Sequence, residues 1–209
     1  MDTLQPTNQS VLVSAGYILG VGTNLEPEKN AALIVAHLAE RFGRVLVSRF
    51  YYTDPVGIMS RHRFVNFCAF VPSDLEPTAC KAVCVGIEVA MGRDRAHPAC
   101  KTRDRPADID LVGRLSMATL RADLGALSPD AYLADPCREI AAMLTGRGIP
   151  EPAGELCVVP GPGSGSCRLG ETPAAVHRDD RAGLVVVPEN GVHGQPDRLD
   201  PALLAEQGL

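Results

Sequence analysis

The sequence predicts an α+β fold. Its elements run strand, helix, strand, strand, helix, strand, the ferredoxin-like βαββαβ order of an antiparallel sheet with both helices on one face, followed by a C-terminal extension. Three observations predict it. Val65, Phe67, Ala69 and Val71 alternate with Phe64, Asn66, Cys68 and Phe70, the period of two that defines the two faces of a strand. Ala31, Ile34, Val35, Leu38 and Phe42 recur at helical spacing, and so do Cys80, Val83, Cys84, Ile87, Ala90 and Met91. Pro27, Gly43 and Gly92 stand where those helices must begin or end. Such a fold hosts many activities and by itself selects none.

The bulk numbers set limits. A chain of 209 residues with 45% hydrophobic residues can form one domain with additions, divided here as 11–145 and a Gly/Pro-rich extension over 146–209. A net charge of −5 argues against a general nucleic-acid binder. No apolar run is long enough to span a bilayer, and no basic stretch leads into an apolar core at the N-terminus. Residues 1–10 read as a loose polar tail. The 7 cysteines are odd in number and include no Cys-x-x-Cys, so reduced thiols and a cytoplasmic location are expected.

Each element follows in order. Residues 11–21 are β-rich and lead into Gly20-Val21-Gly22-Thr23-Asn24-Leu25, expected as a tight glycine turn. Two glycines near a helix start suit either phosphate binding or a turn that needs small residues; the full dinucleotide and P-loop patterns are absent. Pro27 suits the first turn of the helix that follows. Residues 44–53 form a second strand, and 54–63, with Pro55 and Gly57, a loop. In the third strand Asn66 is a polar intruder. It either satisfies itself on nearby backbone or reads the edge of a heterocycle. Residues 76–91 form the second helix, with Cys80 and Cys84 as core filler and Glu88 expected on its solvated side.

The last strand carries the chemistry. In Arg105-Pro-Ala-Asp-Ile-Asp-Leu-Val112, Asp108 and Asp110 fall on one face while Ile109, Leu111 and Val112 can bury. Adjacent carboxylates need neutralising, and Mg²⁺ held by one or two carboxylates plus substrate phosphates does so. Arg93, Arg95, Lys101, Arg103 and Arg105 just upstream suit phosphate oxygens. A solvated edge strand beside a basic loop would have the same local sequence. In the extension, 161–165 reads as a linker, 183–188 as a strand added to a sheet edge, and His177 and His193 as surface histidines.

Taken together and in order, Gly22-Thr-Asn-Leu25, Tyr52-Thr-Asp-Pro-Val-Gly57, Phe64-Val-Asn66, Ile87-Glu88 with Gly92-Arg93, and Arg105 with Asp108-Ile-Asp110 resemble 6-hydroxymethyl-7,8-dihydropterin pyrophosphokinases of folate biosynthesis. The resemblance covers about residues 16–112. It implies transfer of pyrophosphate from ATP to the hydroxymethyl group of a dihydropterin, leaving AMP. It also implies that Asp108 and Asp110 hold two Mg²⁺ ions, and that Arg93, Arg95 and Arg105 bind ATP phosphates, Arg93 and Arg105 catalytically. Thr53 and Val56 would line the pterin slot, Phe64 would stack on the ring and Asn66 would bond its edge. Arg103-Asp104 stands where the family has a small Gly-Pro pair, and the Pro-His pair and arginine expected after Val112 are missing. Arg114 or Arg121 are the candidate replacements. A pterin- or nucleotide-binding paralogue that lost part of its ATP clamp is the alternative function.

Overall fold

The computed structural model describes residues 15–115, 130–162, 167–179, 181 and 183–188. The tail 1–10, Arg121, His193 and most of the 161–165 segment lie outside the described residues. The elements are β1 (Gly16–Thr23), α1 (Pro27–Phe42), β2 (Arg44–Val47), β3 (Tyr51–Thr53), β4 (Phe64–Pro72), α2 (Pro77–Ala90), β5 (Asp108–Leu115), α3 (Ala131–Thr145), β6 (Val159–Pro160), β7 (Arg168–Leu169), β8 (Ala174–Asp179) and β9 (Gly183–Pro188). The main sheet runs β5, β1, β4, β2, β8, β9, with β3 also on β4. The pairings of β1, β4 and β5 are antiparallel, as the βαββαβ reading requires.

Period-two alternation sorts the side chains between two cores. Tyr17, Leu19 and Val21 of β1 and Val65, Phe67 and Ala69 of β4 join the apolar stripes of α1 and α2. Both predicted helices therefore cover one face. Each begins with a proline in its first turn, where the missing N–H costs nothing. Ile18, Cys68 and Phe70 point the other way, against Leu133, Cys137 and Ile140 of α3. This third helix was not anticipated, and it closes the second face.

Two local expectations change. The glycines do not form the turn after β1: Gly20 and Gly22 lie inside the strand, and the turn passes through Glu26, which carries a left-handed φ of 41°. The second strand is not continuous from 44 to 53. At Ser48 the side-chain hydroxyl takes the Cys68 N–H, and Phe50 turns its backbone to the C-terminal region. The Phe50 N–H donates to Gly170 and its carbonyl accepts from Cys157. The strand expected at 183–188 exists as β9. It pairs with β8, which pairs with β2 and extends the sheet edge. His177, on β8, is half-buried.

Candidate active site

Three strands in register build the site. Asp108 on β5 lies opposite Gly22 on β1, and Gly22 lies opposite Asn66 on β4. Opposed residues share a sheet face, so the carboxylate and the amide stand on either side of a glycine floor, about 10 Å apart at the usual strand spacing. Asp110 lies opposite Gly20 on the same face. The glycines serve close approach. A Cβ on Gly22 would sit 2.6 Å from Asn66 Oδ1, and one on Gly20 would sit 2.7 Å from Leu133 Cδ1.

Asp108 is held between two guanidiniums. Its Oδ1 accepts from Arg93 Nη1 at 2.5 Å and its Oδ2 from Arg105 Nη1 at 2.5 Å. Asp110 bonds Lys81 Nζ at 2.6 Å. Burial pulls the Arg93 pKa down, but the bond to Asp108 and the surrounding carboxylates outweigh it, so the net shift is upward. Arg93 Nε is buried and has no hydrogen-bond partner among the described residues, an orphaned donor beside the carboxylates.

Glu88 positions this cluster, and the expectation of a solvated role for it is corrected. Its side chain is 0% exposed. One carboxylate oxygen accepts the Ile109 N–H at 2.8 Å and faces Arg93 at 3.2 Å, and the other is held by Arg95. Gly92, at φ 92°, ends α2 and turns the chain so that the Arg93 N–H returns to the Glu88 carbonyl. Arg95 thus serves Glu88, not Asp108. Lys81 was not singled out either. Lys81 and Glu88 are two helical turns apart and so share one face of α2, which was the available signal.

At the other end, Asn66 is buried and donates from Nδ2 to Thr53 Oγ1 at 2.6 Å, leaving Oδ1 over Gly22. Phe64 pairs with Thr53 across the strands and carries the Arg105 guanidinium 5.9 Å from its ring centroid. Val56 is 72% exposed on the loop before β4. Asp108, Asp110, Arg93, Arg105, Phe64, Asn66 and Thr53 are therefore brought together, Arg95 joins them only through Glu88, and Val56 is exposed on the loop beside them.

Arg114 does not belong with them. It lies opposite Tyr17, on the α1/α2 face and six residues along β5 from Asp108, about 20 Å by strand rise, with its guanidinium 5.7 Å from the Tyr17 ring. Tyr132, near the start of α3, lies close enough to sense the Asp108 and Asp110 charges. Burial first, then Asp130 and those two carboxylates, push its hydroxyl up to about 12.

The donor set suits a hard cation completed by substrate oxygens. No group of three or more His, Cys, Asp or Glu among the described residues could hold a metal alone. Two carboxylates on one strand face, flanked by arginines, fit Mg²⁺ bound partly through phosphates.

The sequence model of the 7,8-dihydro-6-hydroxymethylpterin-pyrophosphokinase family matches residues 18–141, more than half of the chain. Two curated relatives, each named 2-amino-4-hydroxy-6-hydroxymethyldihydropteridine pyrophosphokinase and each from a strain of Porphyromonas gingivalis, are 36% identical over 97 residues. The matched stretch is 45% of this chain and spans 65% of those relatives' length. No described helix is long and apolar enough to cross a membrane.

Proposed function

The chain belongs to the 7,8-dihydro-6-hydroxymethylpterin-pyrophosphokinase family, and from that premise we propose that it transfers pyrophosphate from ATP to 6-hydroxymethyl-7,8-dihydropterin and releases AMP, a step of folate biosynthesis. The observation that carries this reading is the row of Asp108, Gly22 and Asn66 across three strands. It puts the carboxylates that would meet metal and phosphate and the amide that would read the heterocycle on one sheet face, with only the Gly22 backbone between their strands.

The residues divide the work. Asp108 and Asp110 would hold Mg²⁺, which when bound neutralises the triphosphate. Arg93 and Arg105 clamp the phosphate oxygens that compete with Asp108 for their guanidiniums, and the orphaned Arg93 Nε–H offers a donor already desolvated. Arg95 reaches the phosphates only by sharing its bond to Glu88. Asn66 Oδ1 accepts from the pterin edge while Thr53 fixes the amide's orientation. Phe64 stacks on the ring, and Val56 covers it from the loop. The pterin hydroxymethyl oxygen forms a bond to the β-phosphorus as the bond from that phosphorus to the AMP oxygen breaks. Such transfer needs alignment and charge stabilisation, which these groups supply, and no covalent nucleophile. All 7 cysteines are free, which fits a reducing compartment, and the acidic net charge fits small-molecule substrates over nucleic acid. We place the reaction in the cytoplasm.

AMP release from ATP and Mg²⁺, measured with and without the dihydropterin, tests the reading. Pterin-dependent AMP is expected. Pterin binding by calorimetry without AMP would replace the transferase with a binding paralogue, an outcome that the missing Pro-His pair makes worth testing. Neither binding nor turnover would overturn both.

A further inference from the structure

Asp104 stands where a small pair was expected, and it is the centre of a three-way junction at the mouth of the site. Asn24, buried at the end of β1, spans Asp104 and Arg105 with its side-chain amide: Nδ2 donates to Asp104 Oδ1 at 2.6 Å, and Oδ1 accepts the Arg105 N–H at 2.8 Å. The Arg105 carbonyl accepts in return from the Asn24 N–H at 3.2 Å. The other oxygen of Asp104 lies 2.9 Å from His62 Nδ1. Ser60 completes the junction. Its Oγ accepts the His62 N–H at 3.0 Å and lies 3.4 Å from Asn24 Nδ2. Hydrogen bonding from Ser60 first, opposed by burial and supported by Asn24 and His62, holds the Asp104 carboxyl below the usual carboxylate range.

From this geometry we infer that Asp104 is a positioning residue that latches the loop over 54–63 to the arginine loop ending at Arg105. One side of the latch fixes the backbone of Arg105, whose guanidinium holds Asp108. The other fixes the loop that carries Val56 and joins Thr53 to Phe64. The carboxylate thus couples the phosphate end of the site to the pterin end through neither substrate. A Gly-Pro pair at this place has no side chain that could do so. The role in catalysis rests on the proposed pyrophosphoryl transfer; the latch itself does not.

Two measurements on the full chain separate these. Amide hydrogen exchange on the ligand-free protein reads the latch. Asp104→Ala is expected to speed exchange over 58–63 and at Arg105 by about tenfold, and His62→Ala over 58–63 only. Steady-state kinetics read the positioning. His62→Ala is expected to raise the pterin KM several-fold, about five- to tenfold, with kcat nearly unchanged. Asp104→Ala is expected to lower kcat as well, and Asp104→Asn, which keeps an acceptor for Asn24, to restore kcat more than KM. Unchanged exchange in both alanine variants would overturn the latch and leave the proposed reaction standing. Faster exchange with unchanged KM and kcat would overturn the positioning role. A wild-type chain that neither binds nor turns over the pterin would overturn the reaction, and the positioning role with it.

Discussion

Asp108 has both carboxylate oxygens engaged by buried arginines, whereas Asp110 is 67% exposed and bonds Lys81 at the surface. The two aspartates should therefore separate stability from activity. Asp110→Asn removes an exposed ion pair and should cost under ~1 kcal/mol. Asp108→Asn leaves the Arg93 and Arg105 guanidiniums with a weaker partner and should cost about 1.5–3 kcal/mol. Turnover should fall at least about 10²-fold in both, because both carboxylates would serve the metal–phosphate complex. Urea denaturation alongside the AMP assay checks this. Equal stability losses would mean that the buried pairs of Asp108 stabilise the fold no more than the exposed pair of Asp110. At this scale much was legible in the sequence. The Asp-x-Asp spacing and the lone Asn66 announced themselves because period two assigns faces without tertiary knowledge. Glu88 did not, because an acid beside an apolar stripe reads as solvated until the arginines of the next loop fold back beneath it.

Among the elements, α2 does more than cover the sheet. Its last turns deliver Glu88 to the Ile109 N–H on one side and to Arg93 and Arg95 on the other, so the strand of the aspartates and the loop of the arginines share one buried acid. Glu88→Gln keeps the shape, removes the charge and leaves one acceptor oxygen for donors from three residues. It is expected to destabilise the fold by about 3 kcal/mol, the cost of breaking a buried ion pair from one side. It should also free Arg95 and lower turnover without touching substrate. Thermal unfolding together with kinetics checks the prediction, and a variant of wild-type stability would mean that Glu88 does not organise the cluster. The elements that sequence reading placed well, α1, α2, β1, β4 and β5, are those with long periodic patterns. Residues 44–53 looked equally regular, yet they divide because Phe50 takes partners more than a hundred residues away. No local pattern records such a bond. The α3 stripe of Leu133, Cys137 and Ile140 was available, but Pro136 inside the helix obscured it.

For the molecule as a whole, the open matter is whether the Gly/Pro-rich C-terminal part is an appendage. Its composition suggested so, since glycine and proline weaken any local signal. The packing argues otherwise. Cys157, Val159, Leu169, Ala174 and Val176 are all 0–2% exposed and lie in the same core as Val21, Ile34 and Phe67. Gly170 approaches so closely that a Cβ there would sit 2.0 Å from the Cys157 carbonyl oxygen. Arg49, Tyr51 and the buried Glu139 of α3 tie this region down further, through the bond from Arg49 Nη1 to the Pro150 carbonyl at 2.7 Å. A chain ending at residue 150 would expose the edge of β2, which pairs with β8 from Arg44 to Val47, and would uncover apolar side chains of both α1 and β2. At about 1.5–3 kcal/mol per fully buried apolar side chain, losing several of them is comparable with the 5–15 kcal/mol by which an ordinary domain is stable. The truncated chain should therefore fail to give a cooperative unfolding transition, although the whole Asp108 to Asn66 row remains in its sequence. A chain ending at 150 that unfolds cooperatively near the full-length midpoint would instead make residues 151–188 a separable extension, and the site would then depend on the first 150 residues alone.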